Sequence, residues 1–143
     1  MTKIVVNRKH GGFGLSPKAK KRYLELVGKD CYFYKQTKYG HENNDVDEYT
    51  RIPIDEASEA FIAYTITKDL GKIVNDIPND NTYWYDGDIE RDDPVLIRVV
   101  EEMGEEANSK YSNLEIVEIP DDVIWQIDDY DGYESIHEKH RSW

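Results

Sequence analysis

Cysteine is nearly absent from this chain: of 143 residues only Cys31 carries a thiol, so no disulfide can form within it. That scarcity fits a reducing compartment. Long apolar runs are missing too. The opening Met1-Thr2-Lys3-Ile4-Val5-Val6-Asn7 has only three consecutive apolar residues. A secretory core or a membrane-spanning helix needs several times that length. The expectation is a cytoplasmic protein with no membrane association. Hydrophobic residues make up 38% of the chain, below the usual share for a globular domain. What is present in their place is aromatic bulk, 11 Tyr, 3 Trp and 3 Phe. These can fill a core or furnish a tyrosine-rich binding surface. The length suits one domain, residues 1–143.

Charge is unevenly placed. Residues 1–24 hold seven basic side chains (Lys3, Arg8, Lys9, Lys18, Lys20, Lys21 and Arg22) and no acid. The remainder carries 11 basic and 30 acidic residues, and the whole chain a net charge of −12. Such a balance opposes non-specific attraction to nucleic acid or anionic membranes and leaves room for a basic protein partner.

Local patterns predict an α+β fold, with a small mixed or antiparallel sheet covered by helices near 17–27 and 94–107. Ile4-Val5-Val6 reads as a buried strand. Ser16-Pro17 and Asp93-Pro94 each supply an N-cap and a first-turn proline. Ala19, Tyr23, Leu24 and Val27 recur at helical spacing before Gly28, as do Val95, Val99, Met103 and Ala107, with Gly104 a break or a weak point. Cys31 to Tyr34 reads as a strand, residues 35–50 as a polar surface loop, and 55–63 as a short helix running into extended structure. Tyr83-Trp84-Tyr85 reads as a strand fragment. Residues 114–119 and 123–127 flank Pro120-Asp121-Asp122 at a spacing that suits a hairpin.

Two stretches carry a resemblance. Asn7-Arg8-Lys9-His10-Gly11-Gly12-Phe13-Gly14-Leu15-Ser16 and the closing Glu138-Lys139-His140-Arg141-Ser142-Trp143 resemble a family of small, largely uncharacterised proteins of bacteriophages and large DNA viruses. Arg91 to Leu96, Glu101 to Asn108, Val117 to Asp122 and Tyr130-Asp131-Gly132 extend it over the first 25 residues and roughly the last 55. The resemblance implies a viral accessory protein in the host-cell cytoplasm, acting on host machinery or defence. It brings no activity with it.

The first candidate site is the glycine loop. Gly11, Gly12 and Gly14 allow close backbone approach, and Ser16 opens a helix whose N-terminus favours anions. Arg8, Lys9, His10 and Lys18 would add charge. The spacing matches neither a dinucleotide fingerprint nor a Walker A motif, and a tight structural turn from strand to helix is the more economical reading. A second candidate is the C-terminal segment. Tyr130, Asp131, Tyr133, His140, Arg141 and Trp143 would form a partner-binding surface, with the Trp143 ring docked. Residues 101–134 hold twelve acids and one lysine interleaved with aromatics, which would steer a basic protein or simply stay solvated.

Metal and catalytic patterns fail on inspection. Ile127 occupies the first position of the calcium-loop spacing, where an acid is essential. His137 and His140 could share a helix face but lack companion zinc ligands. Cys31 sits in an apolar pattern that suits an inert thiol, and no nucleophile elbow is present. No cofactor, metal or catalytic residue is assigned. The leading expectation is a binding protein that modulates or inhibits a host protein. The alternatives are capture of a small phosphorylated ligand at Gly11–Ser16, and a small hydrolase.

Overall fold

A computed structural model describes residues 1–40, 46–60, 62–78 and 82–138. The chain is α+β with antiparallel sheets, and it divides into two compact units: residues 1–19 with 86–143, and residues 20–85.

In the first unit, strand β1 (Thr2–Asn7) pairs antiparallel with β6 (Leu114–Ile119), Ile4 opposite Val117 and Val6 opposite Glu115. Ile4, Val5, Val6 and Asn7 are all fully buried. Each of the three aliphatics contributes roughly 1.5–3 kcal/mol by leaving water. Helix α3 (Pro94–Met103) packs across both strands and buries Leu96, Val99 and Val100. Asp93 caps it as the sequence predicts, its carboxylate accepting the Val95 N–H at 2.7 Å. Gly104 ends the α-helix, and the predicted extension to Ala107 is a 3-10 turn, Gly104–Ala107.

The predicted hairpin between residues 114–119 and 123–127 does not form. β6 takes β1 as its partner, and β7 (Trp125–Tyr130) pairs with β8 (Tyr133–Glu138). The cause is the Asp131-Gly132 pair. Both residues have positive φ (51° and 88°), as the tightest two-residue hairpin turn requires. His137 consequently lies on a strand and pairs with Asp128 at 3.3 Å. The expected helical His137/His140 face is absent at His137, and His140 lies outside the described residues.

In the second unit the strand order is β4-β2-β3-β5. β2 (Tyr32–Lys38) and β3 (Glu48–Ile52) extend well into the stretch expected to be loop. Their polar residues alternate with ones that pack, so the segment is a half-exposed sheet. Helix α2 (Ile54–Glu59) covers the face formed by Phe33 and Ile52 through Ala57. β4 (Tyr64–Ile66) and the two-residue β5 (Ile73–Val74) form the edges. Tyr83 forms an isolated bridge to Ile66, with the Trp84 N–H donating to the Thr65 carbonyl at 2.9 Å, so the predicted 83–85 strand is reduced to a bridge. Fully buried Tyr34 donates its hydroxyl to the Gly71 carbonyl at 2.7 Å and accepts the Leu70 N–H at 3.0 Å.

Helix α1 (Pro17–Leu26) follows the glycine loop. Ser16 Oγ accepts the Ala19 N–H at 3.1 Å, the N-cap bond expected of it.

Candidate functional site

The end of β1 is the anchor. Asn7 has no exposed surface, and its amide nitrogen donates to the carbonyls of Lys9 and Gly132, both at 2.7 Å. Its amide oxygen accepts the Asn113 N–H at 2.8 Å. One side chain thereby ties the glycine loop, the β7–β8 turn and the entry to β6 together.

Beside it lies Glu134, 3% exposed. Its Oε1 accepts the Asn7 N–H at 2.8 Å and the Arg91 guanidinium at 2.5 Å. Arg91 stacks on the Phe13 ring, 3.7 Å from its centroid. Arg8 completes the set by donating to the Glu134 carbonyl at 2.7 Å and pairing with Glu115 at 3.3 Å. A buried ion pair that also takes a backbone N–H is a specific clamp more than a source of net stability.

Close packing fixes the loop further. A Cβ on Gly132 would stand 2.4 Å from the Gly12 nitrogen, and one on Gly11 would stand 2.4 Å from the Tyr111 carbonyl oxygen. Both positions exclude every other residue. Gly11 and Gly132 therefore serve chain-to-chain approach, while Gly12 supplies a positive φ of 97° with open space around it.

Over this scaffold lies an exposed aromatic group. His10 packs on Tyr133 at 5.4 Å and meets Tyr130 edge-on at 6.1 Å, while its Nδ1 sits 3.3 Å from the Asp131 carbonyl. The Arg8 guanidinium lies 5.7 Å from the Tyr133 ring centroid. Tyr130 is 79% exposed, Tyr111 57% and Tyr133 38%. Arg8 and His10 from the first sequence candidate thus join Tyr130, Asp131 and Tyr133 from the second on one surface. Lys9 reaches away to the Lys110 carbonyl. His140, Arg141 and Trp143, with the docking expected of Trp143, lie outside the described residues.

The start of α1 has its own internal anion. Asp86, 7% exposed, places a carboxylate oxygen 2.8 Å from the Leu15 N–H and beside Gly14. The Ser16 N–H goes to the Ala107 carbonyl at 2.9 Å and its hydroxyl to the Glu106 carbonyl at 2.6 Å. Lys18 is exposed on the first helical turn. Arg8 and Ser16 therefore bond to different partners, Arg8 to β6 and β8 and Ser16 to the 104–107 turn. At Leu15 a phosphate would meet the Asp86 carboxylate.

Among the described residues no group of three or more His, Cys, Asp or Glu is placed to hold a metal. No described helix is long and apolar enough to cross a membrane. Cys31 lies just before β2, half-buried, and burial pushes its thiol up from 9.0 to about 11 against the pull of Lys21 and Lys20. The thiolate fraction at pH 8 falls about 100-fold, while each thiolate becomes about 10-fold more nucleophilic. Alkylation by iodoacetamide should therefore run at least about 10-fold slower than for a free thiol. A rate equal to that of glutathione would mean an open, ionised cysteine.

No family model, curated protein or solved structure matches this chain. Sequence reasoning missed three residues that shape the site. Asp86, Arg91 and Glu134 are ordinary members of charged stretches, and only the fold distinguishes them. Asp131-Gly132 was the signal that could have located the turn.

Proposed function

We propose that this protein works by binding another protein through the surface formed by His10, Tyr111, Tyr130 and Tyr133. In the viral setting that the sequence resemblance implies, the partner is a host protein that the chain modulates or inhibits. The observation that carries this reading is Tyr130, an almost fully exposed ring at the tip of a turn whose supporting backbone is clamped by Asn7 and Glu134. Exposed tyrosines on a rigid frame lose little conformational entropy on docking and commonly anchor interfaces. The unit bearing them has nine basic and 18 acidic residues in sequence. That excess favours a partner with a basic rim and speeds encounter at low salt. Binding of a phosphorylated ligand at the loop gains less support, because the Leu15 N–H already donates to Asp86.

A photo-crosslinking residue at position 130 tests this in infected bacterial cells. Tyr130→p-benzoylphenylalanine should give one discrete adduct of defined mass. The same probe at Tyr85, which is comparably open in the other unit (56% exposed), should give none. Indistinguishable adducts from both positions, or none from 130, would remove the basis for the reading.

A further inference from the structure

The unit formed by residues 20–85 contains an open cavity of about 410 Å³. Its size lies within the range of about 300–1,000 Å³ typical of small-molecule sites. Phe33 and Ile52 are buried in it, 4% and 9% exposed, with Ile54 and half-buried Cys31 packed against them. Lys21 and Arg51 stand among the lining residues. Arg51 is oriented by Asp69, 2.6 Å away, whose carboxylate is itself held by the Gly71 N–H at 2.9 Å. Lys20 and Lys21 both act on Cys31 as positive charges, opposed by Glu25. Arg51 pairs in register with Tyr34 and its guanidinium goes to Asp69, so Lys21 is the cation that the lining sets beside the apolar floor, in a chain whose net charge is −12.

We propose that this cavity binds a small amphipathic organic anion, its flat apolar body on Phe33, Ile52 and Ile54 and its acidic group toward Lys21. The apolar floor supplies affinity through burial, and Lys21 sets orientation and selects against neutral compounds. Cys31 has no covalent role here; it reports occupancy, because a ligand on the floor covers its sulfur.

The probe is 8-anilinonaphthalene-1-sulfonate, an aromatic sulfonate of the required shape and charge, added to the full chain. One saturable molecule per chain is expected, with fluorescence enhancement, and bound probe should slow N-ethylmaleimide modification of Cys31 at pH 9 at least about 5-fold. Exposed Lys21 can be changed without disturbing the core, and Lys21→Glu should weaken binding at least about 10-fold. The uncharged analogue N-phenyl-1-naphthylamine should bind at least about 10-fold more weakly than the sulfonate. Absence of saturable binding, an unprotected Cys31, or equal affinity after Lys21→Glu would each overturn the proposal. Tyr130→Ala should leave all these values unchanged, which keeps this site separate from the protein-binding surface.

Discussion

Glu134→Ala should lower the stability of the unit formed by residues 1–19 and 86–143 by about 3–5 kcal/mol, the cost typical of breaking a buried pair from one side. The loss has two parts. Arg91, with only 19% of its side chain exposed, would keep its charge against the Phe13 ring without a counterion. The Asn7 N–H, in a residue with no solvent exposure, would lose its acceptor. An unpaired buried donor alone costs about 1–3 kcal/mol. Glu134→Gln retains an oxygen for the Asn7 N–H and removes only the charge, so it should fall between the wild type and the alanine variant. Urea denaturation midpoints of the three chains measure this directly. A change below about 1 kcal/mol for Glu134→Ala would place the residue with ordinary surface acids, whose pairs contribute about that much or less.

The legible parts of the fold were those encoded within a few residues. Ser16-Pro17 and Asp93-Pro94 each state a helix start through one side-chain oxygen and one fixed φ, and both helices begin there. Ile4-Val5-Val6 could be read as a buried strand because β-branched residues suit little else in so short a run. Its partner could not be read. β6 lies more than 100 residues away, and nothing local distinguishes pairing with β1 from pairing with β7. The strands β2 and β3 were hidden for a different reason. Lys35, Gln36, Thr37 and Lys38 are polar because they sit on a half-exposed sheet, and polarity alone reads as loop.

The candidate surface was half legible. Tyr130, Tyr133 and His10 draw notice as aromatics or as a loop histidine, but they belonged to two separate sequence candidates until the turn at Asp131-Gly132 brought them together. The glycine loop was read for its chemistry. Gly11 answers to the Tyr111 carbonyl beside it, and Gly12 to its positive φ of 97°. The basic start of the chain does not act as one patch. Lys3 pairs with Glu101 at 3.2 Å and Arg8 with Glu115 at 3.3 Å, while Lys20, Lys21 and Arg22 belong to the other unit.

The second large effect is expected at the interface itself. Tyr130 contributes almost nothing to the fold, since its ring is 79% exposed and meets only the edge of His10 among the ring contacts described. A residue of this kind that anchors an interface loses about 2 kcal/mol or more of binding on truncation, a factor of about 30 in Kd. Tyr133→Ala adds to this by removing the ring on which His10 and Arg8 rest. The two are in contact through His10, so their effects should not add strictly. The decisive measurement is the Kd of the Tyr130→Ala, Tyr133→Ala double variant for the partner captured by cross-linking at position 130, compared with the unaltered chain by calorimetry at fixed salt. The account predicts at least about 100-fold weaker binding by a chain that still unfolds cooperatively in urea, its midpoint lowered only by loss of the Tyr133 ring contacts. An affinity within about twofold of the unaltered chain would contradict it and place the interface elsewhere.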